Sequence, residues 1–195
     1  MKYSNIPEEE TYYAPSRADW RHWLEQHHQT ATAIWLVCYK QASGKPSLRW
    51  SEAVDEALCF GWIDGTRISE GEDRFLQYFT RRKPTSIWSK INKEKVERLS
   101  QAGLITPAGQ ASIDIAQQNG SWTILDTVEA QLIPDDLQAA LDAHPGAQDY
   151  FNSLSKTVQK MMLYHLVSAK RPETRLKRIE TIAQHMKDGK RMKGM

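Results

Sequence analysis

Behind Ser16-Arg17-Ala18-Asp19, apolar positions recur at helical spacing, with Trp20, Trp23 and Leu24 forming one stripe. An acid three residues after a serine is a capping-box pattern, so the spacing predicts a helix running to about His28. The uninterrupted apolar run Ala33–Tyr39 follows. Because both alternations are apolar, it predicts a central strand covered on both faces. "QASGKPS" (41–47) reads as a loop. A second helix is expected from Trp50-Ser51, with Ser51 as N-cap, Glu52 at the positive end and Gly61 just past the C-terminus. On its wheel Ala53, Val54, Ala57, Leu58 and Phe60 share one arc, and Cys59 falls outside it beside Asp55.

"WIDGTRI" and "RFLQYFTRR", joined by "SEGED", predict a β-hairpin. Pro84 breaks the chain, and Ser86 is expected to cap a helix to about Leu99 with Ile87, Trp88, Ile91, Val96 and Leu99 on its apolar side. Asn92 and Lys95 fall within that arc and need polar partners. A further helix spans 106–120, with Pro107 in its first position and Gly120 beyond its end. From Pro134 the spacing is helical over 134–143, 146–153, 155–169 and 172–188. Leu176, Ile179, Ile182, Ala183 and Met186 are expected inward on the last of these. The order predicts an α+β fold: a small mixed sheet with packed helices in the N-terminal half, then a helical C-terminal module. The expected domains are 1–120 (α+β, with central strand and hairpin), a linker at 121–133, and a helical module at 134–195.

Charge divides this plan into blocks. The chain is +2 overall, with 26 basic and 24 acidic residues. Residues 1–79 carry −4, 80–98 carry +5, 99–169 carry −5 and 170–195 carry +6. The two basic blocks either meet an anionic partner or dock on the chain's own acidic segments. The longest apolar run is too short to cross a bilayer, and "MKYSNIPEEETYY" lacks the apolar centre of a signal peptide. These features predict a soluble cytoplasmic protein without a membrane span. Cys38 and Cys59 form no CxxC pair, and His22, His27 and His28 lack metal-ligand spacing. Walker, GxGxxG and GxSxG motifs are absent from the sequence, so no cofactor, metal or catalytic set is assigned.

The stretches "SRADWRHWLEQHH", "IWLVCYKQASGKPSL", "EALCFGWIDG", "TRRKPTSIWSKINKEKVERL" and "SAKRPETRLKRI" together resemble the YdeI/OmpD-associated family of bacterial proteins, over roughly residues 16–190. Residues from about 134 to 190 are similar to its helical module, also called the bacteriocin-protection, YdeI or OmpD-associated domain. The resemblance implies a link to stress responses, bacteriocin tolerance and association with an outer-membrane porin. It implies no particular reaction.

Read residue by residue, "CFGWIDG" (59–65) offers a thiol and a carboxylate. Cys59 sits in the last turn of its helix, where the dipole and Asp55 both disfavour a thiolate. Asp64 either accepts backbone hydrogen bonds at a bend or bulge or contacts a ligand. The segment 81–95 is the leading candidate, since Arg81, Arg82 and Lys83 precede the expected helix start and its free N–H groups. The candidate ligand-binding set is Trp62, Asp64, Arg81, Arg82, Trp88, Lys90, Asn92 and Lys93. The functional expectation is a non-enzymatic protein that binds an anionic small molecule or protein partner. One alternative is an enzyme with a pocket around Asp64 and Asn92. Another is a nucleic-acid binder using 81–95 together with Arg171, Arg175 and Arg178.

Overall fold

Four strands, β1 (Thr11–Tyr13), β2 (Ala33–Tyr39), β3 (Trp62–Glu70) and β4 (Arg74–Arg81), form one sheet in the order β1-β2-β4-β3. This is a computed structural model, which describes residues 6–192. The residues read for a leader at 1–5, and the last three of the basic tail, lie outside that range. β2 is interior, parallel to β1 and antiparallel to β4, and Ile34 to Cys38 are buried on both alternations, as the unbroken apolar run predicts. β1 was not expected. Three residues carry no usable periodicity, and only pairing with β2 defines them as a strand.

β3 and β4 form the expected hairpin, with a register shift between Asp64 and Arg67. Gln77, buried on β4, explains how the shift is held: its Nε2 donates to the Gly65 carbonyl at 2.9 Å, taking over an acceptor the ladder leaves free.

One sheet face is covered by α1 (Arg17–His27), whose capping box forms as read, Ser16 and Asp19 bonding reciprocally. Its stripe meets the sheet through aromatic rings: Trp20 lies 5.2 Å from Phe79, and Trp23 meets Trp62 edge-on at 5.8 Å. α2 (Trp50–Cys59) begins at Arg49, not at Ser51. Glu52 decides this, because its carboxylate accepts the Arg49 backbone N–H at 2.8 Å. Nor is α2 one-sided, since Ala53 to Phe60 are all buried, Cys59 included.

Burial of the whole helix encloses Asp55 and Glu56, and cations from two neighbours answer them. On the α1 side, Glu56 accepts from Arg17 Nε and, at 2.8 Å, from Arg21 Nη1. On the other side stands α3 (Lys90–Gln101), where Lys95 Nζ and Arg98 Nη2 each reach Asp55 at 2.6 Å. Lys95 also donates to the Ser51 hydroxyl at 2.7 Å, so the polar residue in the apolar arc of α3 finds its partners. Two basic residues of block 80–98 thereby dock on the acidic first block.

α3 starts later than the sequence suggests. Ser89 is the N-cap, while the Ser86 hydroxyl accepts the Lys83 backbone N–H in a turn. Residues 84–89 are therefore not helical, and a wheel begun at Ile87 misplaces Ile91, which is 65% exposed. α4 (Pro107–Gln118) completes the first unit, which ends at Ser121.

The second unit begins at Trp122 and is all-helical: α5 (Asp126–Glu129), α6 (Asp135–Asp142), α7 (Ala147–Ser153), α8 (Lys156–Val167) and α9 (Pro172–Lys187). Its core gathers Val128, Leu137, Leu141, Phe151, Met162, Leu166, Ile179 and Ile182 among others. Leu176 is 59% exposed and does not join them, in contrast to the wheel. The small mixed sheet with helices, followed by a helical module, is an α+β fold. No helix among the described residues is long and apolar enough to cross a membrane.

Burial by itself raises the Asp55 carboxyl, but the hydrogen bonds from Lys95 and Arg98 outweigh it and hold the group below its ordinary 3.8. Its stabilising contribution is therefore complete above that value and is lost as pH falls through the lower folded one. Asp55→Asn should cost about 1–3 kcal/mol at pH 7 by chemical denaturation. The gap to the wild type should shrink only below pH 3.8. A gap that is constant down to pH 2.5, or absent at pH 7, would refute this account.

Candidate functional site

The joint between α2 and β3 positions the site. Gly61 follows the C-cap Phe60 with φ +73°, the left-handed geometry that ends a helix most cheaply in glycine. The preceding carbonyl of Cys59 points out of α2 and is taken by Thr106, whose hydroxyl donates to it at 2.7 Å. Thr106 is also the N-cap of α4, so one residue closes α2 and opens α4. The approach is close enough to require glycine a second time. A Cβ on Gly109 would sit 2.2 Å from the Cys59 carbonyl oxygen, and one on Gly61 would sit 3.0 Å from the Ala108 carbonyl oxygen.

With α4 held there, its stripe Ala108, Ala111, Ser112 and Ile115 forms one wall of a cavity of about 320 Å³. The segment leaving β4, Arg81 to Pro84, lines it as well, as do His28, Gln29, Phe60 and Gly61. Pro84 is tied to the far end of α4, its carbonyl accepting from Asn119 Nδ2 at 2.8 Å and from the Ser121 hydroxyl at 3.3 Å. Three consecutive cations line this cavity, and among the described residues no carboxylate does.

Arg82 is the unusual member. Its backbone N–H donates to the Gly61 carbonyl at 2.9 Å, and its guanidinium carbon lies 3.6 Å from the ring centre of Trp88. Nη1 makes a long hydrogen bond to the Ile87 carbonyl at 3.4 Å. Nε and Nη2 are out of contact with solvent and have no hydrogen-bond partner among the described residues. Burial pushes this guanidinium down to about 10, with the charge of Asp64 pulling the other way, so it remains a cation at neutral pH. A buried charge with unmet donors is expensive, which makes it an informative feature.

The other residues singled out from the sequence are placed as follows. Arg81 is exposed on the cavity. Trp88 is buried beneath Arg82 and presents the guanidinium instead of a free indole. Trp62 is fully buried, its Nε1 donating to the His28 carbonyl at 3.3 Å, and belongs to the core. Asp64, at the register shift, accepts from the Trp50 indole at 3.0 Å. Lys90 is exposed and sits 3.8 Å from Glu94. Asn92 caps through its backbone, donating to Ser89 Oγ, and Lys93 is half-buried. Trp62, Asp64, Trp88, Lys90, Asn92 and Lys93 do not line the cavity. His28, Gln29 and the α4 wall were not anticipated. An isolated glycine inside a helical pattern, Gly109, was the available signal, since such a glycine usually marks a close approach.

Other candidate chemistry recedes. The Cys59 thiol, fully buried, is pushed up to about 11 by burial and then by the charge of Glu56, so it is no nucleophile at neutral pH. In the second unit, Arg175 holds Asp136 through Nε and Nη2 at 2.7 and 2.8 Å, and Arg178 donates to the His165 carbonyl and, at 3.1 Å, to Ser168 Oγ. Two of the three arginines in the basic stripe are thus engaged within their own unit. A larger cavity there, about 460 Å³ between α5 and α8, is lined by Leu125, Val128 and Met161, and its Lys160 is paired with Glu129 at 2.7 Å. Its charges cancel, so it gives no reason to hold an anion. Among the described residues no group of three or more His, Cys, Asp or Glu is placed to hold a metal ion.

Comparison with protein families matches residues 12–112 to a family described as a domain of unknown function (DUF8412). Residues 132–189 match the family described as Bacteriocin-protection, YdeI or OmpD-Associated. The YdeI/OmpD-associated resemblance is thus shown for the C-terminal part. No curated protein and no solved structure matches the chain.

Because the α2–α4 contact sets the cavity, Gly109→Ala should lower stability by about 1–3 kcal/mol, read as a lower denaturation midpoint with unchanged slope. A variant as stable as the wild type would show that α4 is not held against Cys59.

Proposed function

The chain belongs to the family described as a domain of unknown function (DUF8412), joined to a C-terminal bacteriocin-protection, YdeI or OmpD-associated domain, and we propose that its N-terminal unit is a receptor for a small anion. Membership of the C-terminal domain's family is consistent with a bacteriocin- or stress-related role.

One observation carries the reading: a half-buried Arg82 whose Nε and Nη2 are shielded from solvent and unpartnered among the described residues, on a cavity that three cations line and no described acid lines. An unpaired buried charge is normally removed by neutralisation or by a counter-ion. Arg82 stays charged at neutral pH and the described residues of its unit supply no hydrogen-bonded counter-ion, so an anion from solution is the group that would complete it. Trp88 fixes the plane of the guanidinium from below, which fits a preorganised receptor better than a mobile surface arginine. Arg81 and Lys83, exposed on the same cavity, would attract the anion and make its arrival sensitive to salt.

This reading draws on Arg81, Arg82 and Trp88 and leaves Lys90, Asn92 and Lys93 outside the site. It supports the enzyme alternative less well. Asp64 bonds to Trp50, and neither Asp64 nor Asn92 lines the cavity, so that pair does not converge there to move a proton.

Phosphate or acetate titrated into the full chain should raise its Tm, with a response that weakens as sodium chloride is added. Arg82→Met should abolish the response without lowering the Tm in anion-free buffer, because it removes an unpaired buried charge. Lys90→Ala should respond like the wild type. An unresponsive wild type, as expected if Asp64 satisfies Arg82 through a bridging water, would overturn the reading. So would an Arg82→Met protein that responds normally.

A further inference from the structure

Resting on that reading of the cavity, we propose that its ligand is an organic carboxylate with an apolar body, held head-first by Arg82 and lying along the α4 stripe. Two independent features point there. The first is the geometry of the unmet donors. Nε–H and Nη2–H share one edge of the guanidinium and point in parallel, which matches the two oxygens of a planar carboxylate. The chain shows the same edge in use: Arg175 holds both oxygens of Asp136 through Nε and Nη2 at 2.7 and 2.8 Å. In Arg82 that edge has no occupant among the described residues.

The second feature is the wall beyond the head group. The cavity, about 320 Å³, is divided by chemistry. Basic side chains come from the segment leaving β4, whereas α4 presents Ala108, Ala111 and Ile115, at helical spacing on one face, with Ser112 as its one polar side chain. The alanines keep the wall low, and Ile115 is a large hydrophobic residue left 41% exposed at its end. An inorganic anion would use the basic side and leave this wall bare. A short acyl chain or a ring attached to a carboxylate would use both, since ligand sites combine a few placed polar groups with an apolar lining. The anchoring of Pro84 by Asn119 and Ser121 fixes the separation of the two walls, so the body must be slim. The fork is out of contact with solvent, so an entering carboxylate must displace the side chains that cover it.

The test is a calorimetric series on the full chain with acetate, butyrate and hexanoate, alongside inorganic phosphate and the neutral butyramide. Affinity should rise about threefold to fourfold per methylene until the cavity is filled. Butyramide should not bind, and phosphate should bind more weakly than butyrate. Arg82→Met should remove binding of every carboxylate. Ile115→Ser, at an exposed position, should flatten the series from butyrate to hexanoate. If acetate, hexanoate and phosphate bind alike and depend on Arg82, the apolar-body proposal fails and the anion reading stands. If no anion binds, or if hexanoate binds equally well to Arg82→Met, both fail.

Discussion

Two adjacent carboxylates, Asp55 and Glu56, lie inside the N-terminal unit, and the position of α2 depends on cations reaching both. Neighbouring residues on a helix point about 100° apart, so two neighbours that are both buried and charged need partners on two different sides. α1 supplies Arg17 and Arg21 to Glu56, and α3 supplies Lys95 and Arg98 to Asp55. α2 is thereby fixed in rotation between two helices as well as packed against them. A purely apolar helix in this position would tolerate a turn about its axis. This one cannot turn without stranding a charge. Because α2 ends at the Gly61 joint and its last carbonyl anchors α4, the same constraint fixes the cavity wall.

The sequence was most legible where one pattern had one physical cause. β2 was readable because a seven-residue run apolar on both alternations has few other structural homes, and α1 because Ser16 and Asp19 announce its start. The boundaries of α2 and α3 were misread for one reason. Each has more than one serine or acid near its start, and tertiary partners chose among them: Glu52 selected Arg49, and Lys83 drew Ser86 into a turn. β1 was invisible because a three-residue strand has no period of its own. Leu176 and Ile91 were placed inward by wheels that assume burial is continuous along a helix, but each lies near the start of its helix and outside the core.

The candidate site was partly legible. Arg81 and Arg82 stood out as a cluster of charge ahead of a helix. The expected helix start at that point does not exist, so the cations face a different element, α4, across the chain from the joint. Trp62 and Trp88 attracted notice as indoles, and both proved to be interior, one as core and one as a platform. What the sequence could not convey is that Gly109 and Gly61 are paired. Their meaning lies in the contact of two backbones far apart along the chain. Neither the thiol nor the carboxylate of "CFGWIDG" lines the cavity, whereas the glycine between them does.

The indole beneath Arg82 has an optical consequence. Trp88 is 1% exposed, and the Arg82 guanidinium lies 3.6 Å from its ring centre, so the indole is shielded from water and sits in the field of that charge. Neutralising or displacing that cation alters the field across the chromophore directly. One of the protein's seven tryptophans is therefore coupled, through a 3.6 Å gap and with no label attached, to a residue that lines the cavity.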